Sequence, residues 1–296
     1  MPQENTITIR QPATANLMVD SADRDDSYSS PFDFQIAKPA SIMNGFFSRI
    51  GTTEVVLEWC EHNITDVESR LNNQIVFDLS GSGANTYTGS QTITLAVGNY
   101  TVEQTLDAIT TALNDLSGTT GMTFAVVQTG GRVELSSTNG DFRIQFNDQA
   151  GVGSVLASQL EIIQETFTTK RQVSCPDLRP YRYIDFVSQQ LTYNQDLKDA
   201  TTNSIVRDVL CRWYFDDDVP EALDAYGFPI LMGYKNFCRR RLFNPPKQIR
   251  WSNNMPVGNI SFQVYGWIPF VGLTLSPIVP DGEDSNWCMT LQMSEN

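Results

Sequence analysis

KQIRWSNN (Lys247–Asn254), NISFQVYGW (Asn259–Trp267) and NWCMTLQMSE (Asn286–Glu295) follow one another in the last quarter of this 296-residue chain. In the middle run Ile260, Phe262 and Val264 alternate with Ser261, Gln263 and Tyr265. In the last run Met289, Leu291 and Met293 alternate with Cys288, Thr290 and Gln292. A two-residue apolar period marks a strand with one buried face. A chain that finishes in strands has to pair them with strands from earlier in the sequence. The closing run is therefore expected to be sheet almost to its last residue.

Working back from that end, YIDFVSQQLT and IVRDVLCRWYF both read as strands, and in the second Ile205, Val209, Cys211, Trp213 and Phe215 share a face. A connection rich in aromatics and prolines, 216–246, leads from there to the closing strands. Ahead of these lies a stretch of different character, residues 82–180. It contains a strand, QTITLAV, and then a capping box of Thr101 with Gln104. The box opens a helix whose Val102, Leu106, Ile109, Leu113 and Leu116 lie on one face. A hairpin turning at Gly130–Gly131, the strand DFRIQF, a short helical piece near VGSVLASQL and a strand-like EIIQETFTTK complete the unit. Three more strands precede it. FDFQI carries Phe32, Phe34 and Ile36 on one face, SRIGTTEVVLEWC is apolar on much of both faces, and NNQIVFDLSG closes the block. Residues 1–30 are polar with little periodicity and read as an extended N-terminal arm.

Outside the module there are eight strands, three before it and five after. Eight antiparallel strands with irregular loops and almost no helix predict a mainly β two-sheet sandwich, with the single jelly roll as its commonest eight-stranded form. The expected division is an arm over 1–30, a roll over 31–81 and 181–296, and a small inserted α+β domain over 82–180.

Composition narrows the function. The chain is 41% hydrophobic and 18% charged, with a formal net charge of −14, which fits a folded β-rich protein and disfavours general phosphate binding. Five cysteines at wide spacings form no CxxC pair, so neither a disulfide framework nor a zinc site is indicated, and most read as buried small hydrophobes. The N-terminus lacks the apolar segment of a signal peptide, and Trp267–Leu275 is too short to span a bilayer. Folding in a reducing cytosol is expected, which makes the sequons at Asn63, Asn99 and Asn259 coincidental.

Three stretches resemble the minor capsid (penton) proteins of virophages, polinton-like viruses and related large DNA viruses. These are NLMVDSADRDDSYSSPFDFQI (Asn16–Ile36), YRYIDFVSQQLTYNQDLKDATTNSIVRDVLCRWYF (Tyr181–Phe215) and the ending IRWSNNMPVGNISFQVYGWIPF…WCMTLQMSE. Each is modestly specific, and the three in order are much more so. Residues Ser82–Arg179 are similar to β-α-β insertions that some of these proteins carry between strands D and E, the third and fourth of a roll lettered B to I. The resemblance implies a vertical single jelly roll, five copies of which close an icosahedral vertex of the virion. The neighbours there would be trimers of a double jelly-roll major capsid protein, with assembly in the host cytoplasm. Closure of such a ring needs a heterologous interface, one flank of each copy meeting the other flank of the next.

Chemistry offers little against this. His62 is the chain's one histidine, which excludes a two-histidine metal site within a subunit and makes a structural or surface role the expectation. No catalytic, phosphate-binding or EF-hand motif is present, so neither enzyme activity nor a cofactor or metal is expected. The clusters Asp20, Asp23, Asp25, Asp26 and Asp216–Asp218 are read as solvated loop charge. Paired carboxylates such as Asp216 and Glu221 are the residual hydrolase reading. The basic run Arg239, Arg240, Arg241, with Lys235 nearby, stands out in an acidic chain. It is assigned to subunit contact together with Arg24 and Tyr28, ahead of a weak inner-face contact with nucleic acid. The competing account stacks these arginines on Phe237, Phe243 and Trp251. The alternative function is host attachment or carbohydrate binding through the insertion.

Overall fold

A computed structural model describes residues 14–37, 47–67, 71–80, 87–117, 122–129, 132–145, 156, 159–160, 162–164, 169–172, 177–192, 199–200, 206–207, 209–215, 222–223, 225, 227, 229–230, 236–250, 258–268, 272–273, 276–281 and 285–295. The strands longer than two residues are, in chain order, β1 (Thr14–Asp20), β2 (Asp33–Ala37), β3 (Arg49–Trp59), β4 (Gln74–Ser80) and β5 (Tyr87–Thr94). Helix α1 (Val102–Ser117) follows, then β6 (Thr123–Thr129), β7 (Arg132–Thr138), β8 (Phe142–Gln145), β9 (Ile162–Gln164) and β10 (Thr169–Gln172). The last six are β11 (Tyr183–Val187), β12 (Val209–Tyr214), β13 (Phe237–Leu242), β14 (Gln248–Arg250), β15 (Asn259–Ile268) and β16 (Asn286–Ser294).

Two antiparallel sheets form a sandwich. The first runs β1-β16-β3-β13, with β14 prolonging the β13 side of β3. The second runs β12-β11-β15-β2. Lettered B to I, these are the strand orders B-I-D-G and C-H-E-F, so the eight-stranded single jelly roll is the fold. Alternation places the side chains. In β15 Ile260, Phe262, Val264 and Ile268 point inward, and in β16 Trp287, Met289, Leu291 and Met293 do so. β12 buries Val209, Cys211 and Trp213, with Phe215 following in phase.

Two tryptophans join the sheets. Trp287 packs against Phe34, Phe186 and Phe262 of the second sheet at ring separations of 5.5, 5.1 and 5.7 Å. Its indole N–H donates to the Pro31 carbonyl at 2.8 Å, so the polar edge of a buried ring is satisfied. Trp59 at the end of β3 meets Phe32, Tyr181 and Phe215. Tyr181 lies so close over Gly266 that a Cβ there would stand 2.1 Å from its ring, so this point of β15 has room for glycine alone. Blocks of sequence on either side of residues 60–180 thus share one core.

The interrupting segment has its own core, built from Ile75, Phe77, Leu106, Ile109, Phe124 and Phe142 among others. It holds one sheet of order β6-β7-β10-β9 and a second of order β5-β4-β8. The capping box forms as expected: the Thr101 N–H donates to Gln104 Oε1 at 2.9 Å, and the Gln104 N–H to Thr101 Oγ1 at 3.2 Å. Val102, Leu106, Ile109 and Leu113 are buried, while Leu116 is partly exposed.

Several expectations need correction. Thr14–Asp20 is a sheet strand and not part of an extended arm: it pairs along its whole length with β16, and Val19 is 1% exposed. Residues 1–13 lie outside the described residues. NNQIVFDLSG belongs to the insertion, because β4 pairs with β5 and β8 and buries Ile75 and Phe77 in the second core. The insertion therefore begins near Ile64, which bridges Gly98, and not at residue 82. The count of three strands before it still stands, because β1 takes the place that β4 loses. The five after it are differently made: Phe237–Leu242, expected within the 216–246 connection, is the frame strand β13, and KQIRWSNN supplies only the short β14 beside it. YIDFVSQQLT is strand only to Val187 and then turns once as helix over Gln189–Thr192. EIIQETFTTK contributes to an antiparallel pair, β9 and β10, and not to one strand. Of the four described cysteines only Cys211 is buried. Cys60 and Cys288 are half-buried and Cys238 is exposed.

Candidate assembly surface

The sheet orders decide which strands end up at the sides of the sandwich. β1 and β2 edge the two sheets on one flank, and β12 and β13 edge them on the other. The contacts agree: Phe215, just after β12, meets Phe237 of β13 at 6.1 Å. Across the molecule Leu17–Asp20 of β1 and Ile36–Ala37 of β2 line one cavity of about 270 Å³ with Asp23, Ile260 and Phe262. Met18, 72% exposed, stands at its edge.

The basic run is split by the pleat of β13. Arg239 and Arg241 lie on its half-buried side and Arg240 on its exposed side. Arg240 ion-pairs with Glu54 of β3. The Arg239 guanidinium lies 5.8 Å from the centre of the Phe237 ring. That of Arg241 lies 5.8 Å from Trp213 and 6.0 Å from Phe243, and donates to the Tyr214 carbonyl. Of the stacking partners expected, Phe237 and Phe243 are in place, Trp213 joins them, and Trp251 lies outside the described residues, as does Lys235. The guanidinium groups of Arg239 and Arg241 thus lie over the aromatic rings at this edge of the sandwich.

Arg24 and Tyr28 sit at the opposite flank, in the turn from β1 to β2. Arg24 donates to the carbonyls of Ser21 at 2.8 Å and Tyr28 at 3.2 Å, which closes that turn on itself. The Tyr28 hydroxyl pairs with Gln35 of β2. Asp20 and Asp25 accept from the backbone N–H groups of Ala22 and Ser27, as turn-forming carboxylates do. Among the described residues no group of three or more His, Cys, Asp and Glu could hold a metal. Nor is any helix there long and apolar enough to cross a membrane.

Two arrangements were not visible in the sequence. On the outer face of the second sheet Tyr183 is paired in register with Tyr214 on one side and Trp267 on the other. The Arg212 guanidinium sits 3.9 Å over Tyr183 and forms a bidentate pair with Asp185 at 2.6 and 2.9 Å. Asp185 is fully buried, and its hydrogen bonds hold Arg212 even more firmly protonated than usual. The second arrangement ties the segment leaving β3 toward the insertion to the loop that precedes β16. The Asp281 N–H donates to Glu61 Oε2 at 2.6 Å, the His62 N–H to Asp281 Oδ1 at 3.2 Å, and the Cys60 N–H to Ser285 Oγ at 2.9 Å. Burial pushes the Glu61 carboxyl up to about 7, and its hydrogen bond with the Asp281 side chain adds to the rise. His62 thus serves as a backbone contact in this junction. Burial also pushes the Cys211 thiol up to about 12, which leaves it a core hydrophobe and not a nucleophile.

The architecture defines a class: a single jelly roll with a compact insertion between its third and fourth strands. Within that class, the chain is similar in structure to the mavirus penton protein, with a TM-score of 0.51 and 11% identity over 97% of this chain and 100% of that one. A chain of the Sputnik virophage aligns with a TM-score of 0.45 and 15% identity over 96% of this chain and 98% of that one. At 11% identity what the mavirus penton protein shares with this chain is the fold. No family model matches the sequence, and no curated protein does.

Proposed function

We propose that this chain is a structural capsid protein whose homopentamer forms the penton at icosahedral vertices, against trimers of a double jelly-roll major capsid protein. One observation carries the reading: the likeness to a penton protein runs over 97% of this chain and all of the other, insertion included. The three sequence stretches that resemble virophage pentons fall on the frame strands of the roll, which supports it independently. So does the difference between the two flanks, since a head-to-tail contact between unlike sides is the kind that closes as a ring when its rotation allows. The role is one of shape and contact and uses no catalytic group, and its place is the virion. Native mass spectrometry of the purified chain tests it. A species of five times 33.1 kDa is expected. A strict monomer at every concentration contradicts it.

A further inference from the structure

We propose that the segment leaving β3, Cys60–Thr65, is a pH-operated clasp. Its first half shuts on the loop before β16 through a pair of carboxyl groups and opens as that pair ionises, while its second half stays fixed to the insertion. This goes beyond the capsid reading and does not depend on it.

The six residues divide at one peptide bond. Cys60, Glu61 and His62 hold the loop: the Cys60 N–H donates to Ser285, Glu61 accepts from the Asp281 N–H, and the His62 N–H donates to the Asp281 carboxylate. Asn63, Ile64 and Thr65 hold the insertion. The Asn63 side chain donates to the Tyr100 carbonyl at 2.7 Å and accepts from the Tyr100 N–H at 2.8 Å. Ile64 and Gly98 exchange backbone hydrogen bonds at 3.1 and 3.0 Å, and the Thr65 N–H donates to Asn72 Oδ1 at 2.8 Å. Asn72 in turn donates to the Asn63 carbonyl and to Gln159 Oε1, at 2.8 and 2.9 Å.

The two halves differ in chemistry. Side-chain amides and backbone groups make the insertion half, and neither kind changes charge near neutral pH. The loop half turns on Glu61 and Asp281. Glu61 is 1% exposed, its carboxyl is hydrogen-bonded to the Asp281 side chain, and Ser285 meets it with a hydroxyl. Asp281 is thus the charged group that faces Glu61, and Cys60 and His62 supply the other titratable side chains of the segment. Two carboxyl groups in contact and shut away from water cannot both carry charge, so the closed clasp keeps a proton between them. Opening lets water reach both, and each then ionises as an ordinary carboxyl does. Rising pH therefore favours the open clasp, by up to about tenfold per pH unit between about 4.5 and about 7, and adds nothing further above that.

Hydrogen exchange of the full chain tests this, read at single amides by mass spectrometry and corrected for the intrinsic pH dependence of exchange. The wild-type amides of Cys60, His62 and Asp281 should lose protection by at least about tenfold between pH 5 and pH 7 and then level off. Those of Ile64, Thr65, Gly98 and Tyr100, and those of β15, should keep theirs, which separates opening of the clasp from unfolding of the chain. Glu61→Gln keeps the acceptor oxygen and cannot ionise, so it should hold all of these amides protected throughout. Cys60, His62 and Asp281 amides as protected at pH 7 as at pH 5 in the wild type would overturn the proposal. So would the same loss of protection in Glu61→Gln.

Discussion

Asp185 shows how one residue can govern a face of the sheet. It is fully buried and charged, and the Arg212 guanidinium is what makes that tolerable. Replacing Arg212 by methionine leaves the carboxylate buried without its cation, which costs about 3–5 kcal/mol. A urea melt should show a midpoint lowered accordingly, and an unchanged midpoint would contradict the role given to the pair. Glu61 makes a different prediction. Its carboxyl is raised in the folded chain from its ordinary 4.5 to about 7, so folding favours the protonated form. The stability this contributes is complete below about 4.5 and is lost as the pH rises through about 7. Wild-type stability should therefore fall across that window, while Glu61→Gln, a neutral mimic, should show a flatter profile. Identical profiles would contradict the assignment. Neither arrangement could be read in advance, because Asp185 and Arg212 are 27 residues apart and Glu61 and Asp281 are 220 apart. What could be read was which side chains of a strand face inward, because a two-residue period is a local property: Ile260, Phe262 and Val264 lie where their alternation puts them.

At the scale of elements, the sequence reading succeeded where a segment carried its own signal and failed where a partner decided the outcome. Helix α1 announced its start through Thr101 and Gln104 and its buried face through leucine spacing. β1 announced nothing: TANLMVD alternates weakly, and it becomes sheet because β16 offers an open edge to pair with. β4 has a strong strand pattern, yet pattern alone does not say which sheet a strand joins, and its register partners lie in β5 and β8. The pairing of β1 is testable. Removing residues 1–20 takes away a whole strand and leaves β16 as a bare edge, with the part of the core that Val19 covered exposed. Such a chain should melt well below the full-length protein and aggregate on refolding. Had the segment been only an arm, the truncated chain would melt as the intact one does, and that result would contradict the pairing.

For the whole molecule, two separated blocks of sequence zip together around Trp59 and Trp287, and the insertion folds on its own core outside them. The outcome is a subunit whose two sheets end in different edge strands on its two flanks, with a second core inserted in the chain between β3 and β11. The proposed building-block role uses the edges of the two sheets, where one subunit can meet the next. Image averages of the purified full-length chain, taken by electron microscopy, test this most directly. Closed rings with five-fold symmetry, one roll per lobe, are the predicted result. Single particles the size of one roll, or two-fold dimers joined through like flanks, would contradict it.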